Sequence, residues 1–276
     1  MTLSERNIFF KAGIAFCAIC TLLILAASFL TIPVYQEIEE NFRRPSNILQ
    51  TLSGSILGNN YYAVHISLII SVLFSIIGLI LIFYFFERTS APEILYIAIF
   101  VISFSFEVIR LILPLHQLLN FPTLYIRVAS RVLLFARFFG VFSLFAASIC
   151  AAGLEVQKTQ NAVFAITIAA LIMTFGVPID VLNWDTSLNI VKGYTSMLKL
   201  IEIAAFFTAM ISFFIAANIK ESKEYTYIAA SIMLVLAGRS FLLNTDNWIG
   251  PVFGILLLSF GTWFICSKLH KVYLWL

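Results

Sequence analysis

The chain has 276 residues, of which 61% are hydrophobic and only 11% charged, with a formal net charge of +3. Soluble domains carry about 25% charged residues, so this composition excludes both a water-soluble protein and intrinsic disorder. No basic run exceeds Arg43-Arg44, which excludes a phosphate-tracking surface and leaves no nucleic acid among the expected partners.

An all-α polytopic membrane protein remains, with 1–276 as a single integral domain. A helix crossing about 30 Å of hydrocarbon needs roughly 20 apolar residues, and the chain reads as a bundle of eight transmembrane helices. The first, about 12–34, is too long for the apolar region of a cleaved signal and has no small-residue cleavage site after it, so it is expected to be a retained anchor. In the segment 35–60, Pro45 precedes the cap candidates Ser46 and Asn47, and Ile48, Leu49, Leu52 and Ile56 share a helical face. That pattern predicts a short amphipathic outer helix between spans 1 and 2, serving as a connector or as a lid over a binding site. Span 2 (61–86) is unbroken, and spans 3 and 4 are expected at 94–114 and 126–151. Span 5, 161–181, closes on Asp180; spans 6, 7 and 8 follow at 194–217, 226–243 and 248–267.

Short loops on one side hold Arg6, Lys11, Arg88, Lys158, Lys220, Lys223, Lys268 and Lys271. The other side holds Arg43, Arg44, Arg127 and Lys192. The richer side faces the cytoplasm, which places both the N- and C-termini there, in a cell or inner membrane. Cys17, Cys20, Cys150 and Cys266 then fall in cytoplasmic halves of helices, as suits free thiols.

Ionisable groups in hydrocarbon are costly and mark function. Glu107 and Arg110 fall in span 3, Arg131 and Arg137 in span 4, Asp180 in span 5, Lys199 and Glu202 in span 6, and Arg239 in span 7. At a rise of about 1.5 Å per residue they form one layer in the outer halves of spans 3 to 7, with Arg137 deepest at about 16 Å. The cytoplasmic halves hold almost none. Glu107 with Arg110, and Lys199 with Glu202, share helix faces. Two arrangements satisfy this layer. One is structural pairing, of Glu107 with Arg137 or Arg131 and of Glu202 with Arg239. The other is a water-accessible pocket, which the number of charges favours. The excess of cations suits a carboxylate, a phosphate or a lipid headgroup. The turns Asn183-Trp184-Asp185 and Asn244-Thr245-Asp246-Asn247-Trp248 are candidates for its rim.

His65, His116 and His270 lack metal-ligand spacing, Cys17-x-x-Cys20 lies inside an apolar helix, and no GxSxG or glycine-rich phosphate loop occurs. No catalytic residue, metal or cofactor is therefore expected. The leading expectation is a receptor- or sensor-like protein whose ligand-binding residues are Glu107, Arg110, Arg131, Arg137, Lys199, Glu202 and Arg239. Its expected partners are membrane lipids, a small anionic ligand, and a cytoplasmic or membrane signalling partner, because the short cytoplasmic loops carry no output domain. Two alternatives stand beside it. One is a small-solute transporter, which needs a second polar gate on the cytoplasmic side. The other is an intramembrane lipid-modifying enzyme with Glu107 or Glu202 as its acid-base group.

Overall fold

The computed structural model describes residues 3–42, 60–87, 89, 91–153, 159–185 and 187–274. The expected outer helix with Ile48, Leu49, Leu52 and Ile56 lies outside the described residues. The chain forms α1 (Leu3–Phe42), α2 (Tyr61–Phe86) and α3 (Pro92–Ser103), then a 3-10 segment (Phe104–Leu111) that runs into α4 (Ile112–Leu119). There follow α5 (Thr123–Ala151), α6 (Thr159–Gly176), a two-stranded hairpin of β1 (Ile179–Trp184) and β2 (Ile190–Lys192), α7 (Thr195–Ile219), α8 (Lys223–Asn244) and α9 (Ile249–Leu274).

The architecture is all-α apart from the hairpin, and helices are one of the two structures that satisfy every backbone polar group in hydrocarbon. Among the described residues, seven helices are long and apolar enough to cross a membrane: Leu3–Thr31, Tyr61–Phe86, Glu93–His116, Thr123–Ala151, Thr195–Ile219, Lys223–Asn244 and Ile249–Tyr273. The apolar part of α6, Asn161–Gly176, is shorter. The expected fifth span, 161–181, therefore overruns its helix. Pro178 has no N–H to continue the α6 ladder and disfavours helical geometry at the residue before it. The chain turns extended at Ile179, and Ile179 pairs with Lys192 and Asp180 with Val191 across the antiparallel hairpin.

The two ends of the bundle are distinguishable. At one, Arg6 donates to the carbonyls of Phe86 (2.6 Å), Glu87 and Thr89, and the His270 ring packs edge-on to Phe86. The start of α1, the end of α2 and the end of α9 thus meet there, at what we call the terminal end. At the other, the hairpin end, the backbone N–H of Asn60 donates to the carbonyl of Asp246 at 2.8 Å. Asn60 also caps α2, its side chain accepting from the N–H of Tyr62 at 2.9 Å.

The third apolar helix is the core of the bundle. Ile94 through Val101 are all buried, whichever way each side chain points, which is the pattern of a helix enclosed on every side. Around it runs an arc in which α1 packs on α2, α2 on α9, α9 on α8, α8 on α7, and α7 on α5. Helix α6 sits outside this arc, against α5. The outward faces carry Leu22, Phe29, Phe164, Ile172 and Phe175, all exposed. In water such a surface would aggregate; in lipid it is the required solvent contact.

Helices α8 and α9 approach closely at two glycines. A Cβ added at Gly238 would lie 2.8 Å from Leu258 Cα, and one at Gly254 would lie 3.0 Å from Leu242 Cβ. Glycine at these positions lets the two backbones touch, and this contact seats Arg239 beside α7.

Candidate functional site: a cationic pocket at the hairpin end

The site begins with the 3-10 segment. Such a helix has three residues per turn, so side chains at i and i+3 eclipse. Glu107 and Arg110 therefore stand directly in line, and both are buried. The Glu107 carboxylate receives the Arg137 guanidinium of α5 through both oxygens, Nε to Oε1 at 2.8 Å and Nη2 to Oε2 at 2.7 Å. This two-point geometry suits a guanidinium and would be lost with a lysine. Arg110 Nη1 stands 3.4 Å from the same Oε2. Arg110 Nη2 reaches the Ser187 carbonyl in the hairpin turn, which holds the hairpin down on the bundle.

A second ion pair lies alongside. Arg239 of α8 pairs through Nη1 with Glu202 Oε1 of α7, and its Nη2 is 3.5 Å from the Arg137 carbonyl. The two arginines are thus neighbours, each held by one carboxylate. Of the pairings open to the sequence, Glu107 takes Arg137 rather than Arg131, and Glu202 takes Arg239.

Arg131 goes elsewhere. Its Nη1 donates to the carbonyls of Thr174 and Val177 (2.7 Å), and its guanidinium lies 6.0 Å from the centre of the Phe175 ring. It caps the C-terminal end of α6, where the last carbonyls lack helical partners. Arg131→Ala is expected to cost about 1–2 kcal/mol through these lost charge-assisted bonds. The anion response of the pocket should stay intact, which thermal melting with and without anion will check.

Arg137, Lys199, Glu202 and Arg239 line one cavity of about 500 Å³ bounded by α5, the hairpin, α7 and α8. Lys192, at the end of β2, and Asp185 complete its charged lining. Four cations face it against two carboxylates. The same helices also give the lining apolar side chains, Leu134, Phe138 and Val141 of α5 and Leu198 of α7. Glu107 and Arg110 are not on the lining; they stand behind it and set the position of Arg137 and of the hairpin. Seven residues named from the sequence thus divide three ways. Four line the pocket, two support it, and Arg131 serves α6.

Lys192 was counted in the sequence only as a loop charge. Half-buried at the pocket wall, its ammonium is pushed down to about 7, first by burial and then by the nearby Arg137, with Glu107 opposing and Arg110 and Arg239 adding to the fall. A loop charge has no fixed position in the sequence; the antiparallel pairing of Ile179 with Lys192 is what places it at the pocket wall.

A second polar cluster occupies the terminal end. Glu93, in the first turn of α3, is buried, and its Oε2 accepts from the Tyr273 hydroxyl at 2.7 Å. Lys220 Nζ is 4.0 Å from Glu93 Oε1 and donates to the Tyr225 hydroxyl at 3.0 Å. The sequence places almost no charge inside this half, because a span beginning at residue 94 leaves Glu93 in a loop. Among the described residues no three His, Cys, Asp or Glu side chains cluster as a metal site would need. Comparison with protein-family models, curated proteins and solved structures returned no match.

Proposed function

We propose that this chain is a receptor- or sensor-like multi-pass membrane protein, with the hairpin end outside and both terminal helices ending in the cytoplasm, and that its pocket binds an anionic ligand. The observation that carries this is the cavity itself. Buried ion pairs alone would fix helix register and leave no space, but here Arg137, Arg239, Lys192 and Lys199 converge on about 500 Å³ of open volume. Helix α6 is the eighth crossing in this reading. Its 18 residues span about 27 Å, and it returns the chain from the end of α5 to the hairpin end.

Binding should raise the melting temperature of the purified protein by mass action. Lys199 is exposed on the pocket wall, so Lys199→Gln should leave the ligand-free melt within about 0.5 kcal/mol of wild type and weaken the response to phosphate and carboxylate compounds about tenfold. The response should also fall as pH rises through about 7, where Lys192 loses its proton. The sign of the folding linkage is opposite. Between pH 7 and the ordinary lysine range the unfolded chain binds the extra proton, so ligand-free stability rises with pH there. Lys192→Gln should abolish both trends. A wild-type melt indifferent to every anion and to pH would overturn the proposal.

A small-solute transporter is the second reading, favoured by one observation. The Glu93, Tyr273, Lys220 and Tyr225 network closes the terminal end, as an inner gate would. A lipid-modifying enzyme has less support, since arginines engage both Glu107 and Glu202.

A further inference from the structure

Beyond Glu202 and Val141 of the cationic pocket, a second cavity of about 490 Å³ lies next along the same two helices. Val141 of the pocket and Phe142 of the cleft are consecutive in α5, and Glu202 and Ala205 are a turn apart in α7. Along α5, residues 134, 138, 141, 145 and 149 follow helical steps of three and four, so they form one stripe. Its length from Leu134 to Ile149 is about 22 Å at the α-helical rise. The cleft exists because α6 and α7 both pack on α5 and part from each other over it. Its lining is wholly different in kind from the pocket above: Phe145, Ala146, Ala165, Ala169 and Ala205, with Thr208 as the sole hydroxyl.

We infer that this seam holds an anionic phospholipid, with its phosphate headgroup among Lys192, Lys199 and Arg239 and one acyl chain in the cleft between α6 and α7. The inference rests on the anion-binding pocket proposed above and names its ligand class. Two features commit the site to this occupant. The cleft opens at the outer surface of the bundle, since Ala165, Ala169 and Thr208 of its lining are exposed. A groove that opens into hydrocarbon is filled by hydrocarbon, because its lining otherwise forfeits dispersion contacts and no water is present to replace them. The charge at its head then selects among lipids: cations exceed carboxylates on the pocket wall, which favours an anionic headgroup over a zwitterionic one. A free anion would use the upper cavity and leave the alanine-lined one without a role.

The test uses the full chain, purified in mild detergent, with three probes: dioleoyl phosphatidylglycerol, dioleoyl phosphatidylcholine and water-soluble glycerol phosphate. Thermal melting and native mass spectrometry report binding. Phosphatidylglycerol should bind at least about tenfold more tightly than phosphatidylcholine, and glycerol phosphate more weakly than either lipid that fills the cleft. Ala205→Phe and Ala165→Phe, which fill the cleft, should weaken phosphatidylglycerol binding about tenfold and leave glycerol phosphate binding unchanged. Dihexanoyl phosphatidylglycerol, whose chains are too short to occupy the cleft, reads the same contrast with no substitution, and decides the matter if the phenylalanine variants do not fold. Equal binding of glycerol phosphate and dioleoyl phosphatidylglycerol, or equal binding of the two dioleoyl lipids while glycerol phosphate still binds, overturns the lipid inference and leaves the anion pocket standing; equal binding of the two lipids with no response to glycerol phosphate overturns both. Failure of every anionic probe overturns both.

Discussion

Glu107→Gln is expected to be the most destabilising single substitution in the pocket region, at about 3–5 kcal/mol. The carboxylate is 1% exposed and answers two arginines, Arg137 through both oxygens and Arg110 at 3.4 Å. An amide in its place leaves the buried Arg110 and the partly buried Arg137 without their counter-charge, with Arg239 close behind them. Removing one partner of a buried pair is costly for that reason, whereas replacing the whole pair with apolar groups is often neutral. The double variant Glu107→Leu with Arg137→Leu should therefore melt well above Glu107→Gln. If the single and double variants melt together, the pair is not what holds the 3-10 segment against α5.

Gly238→Val should be the largest effect outside the charged layer. The first carbon of any side chain there would sit 2.8 Å from Leu258 Cα and closer still to the Leu258 nitrogen. Backbone atoms of α9 cannot rotate away as a side chain can, so α8 and α9 must separate. Overpacking of this sort costs about 1–3 kcal/mol, and here it also moves Arg239, the next residue, off Glu202. Both the melting temperature and the anion response should fall. Gly176→Ala provides the contrast: nothing lies within 4 Å of its added Cβ, so the melt should be unchanged. A tolerated Gly238→Val would mean that the α8–α9 contact is looser than its geometry.

The charged layer was legible in outline and not in detail. Period and rise place Glu107, Arg137, Lys199, Glu202 and Arg239 in one outer layer, with Arg137 the deepest. The choice of partner was open, since either arginine of α5 stood within plausible reach of Glu107. Two local departures from regular helix were also hidden. The 3-10 segment Phe104–Leu111 has no distinctive residue, and it brings Glu107 and Arg110 into line where an α-helix would offset them. The hairpin carries Ile179, Val181 and Leu182, apolar residues that extend the hydrophobic run of α6 past its real end. Gly176 and Pro178 were the available signals, and both stop a helix. Neither signals the pairing of Ile179 with Lys192 that carries Lys192 to the pocket wall.

Residence in a membrane follows from the residues alone, because transfer between water and hydrocarbon depends on composition and run length, which need no partner. The approximate depth of each charge follows too, because rise per residue is a local property of the backbone. Which charges pair, which reach the cavity and which cap a neighbouring helix depend on how helices rotate and lean against one another. That is set by the fit of side chains such as Gly238 against Leu258 and by turns such as Pro178, contacts between residues far apart in the chain. The pocket is a product of those contacts: four cations from α5, β2, α7 and α8 surround a space that no single segment encloses.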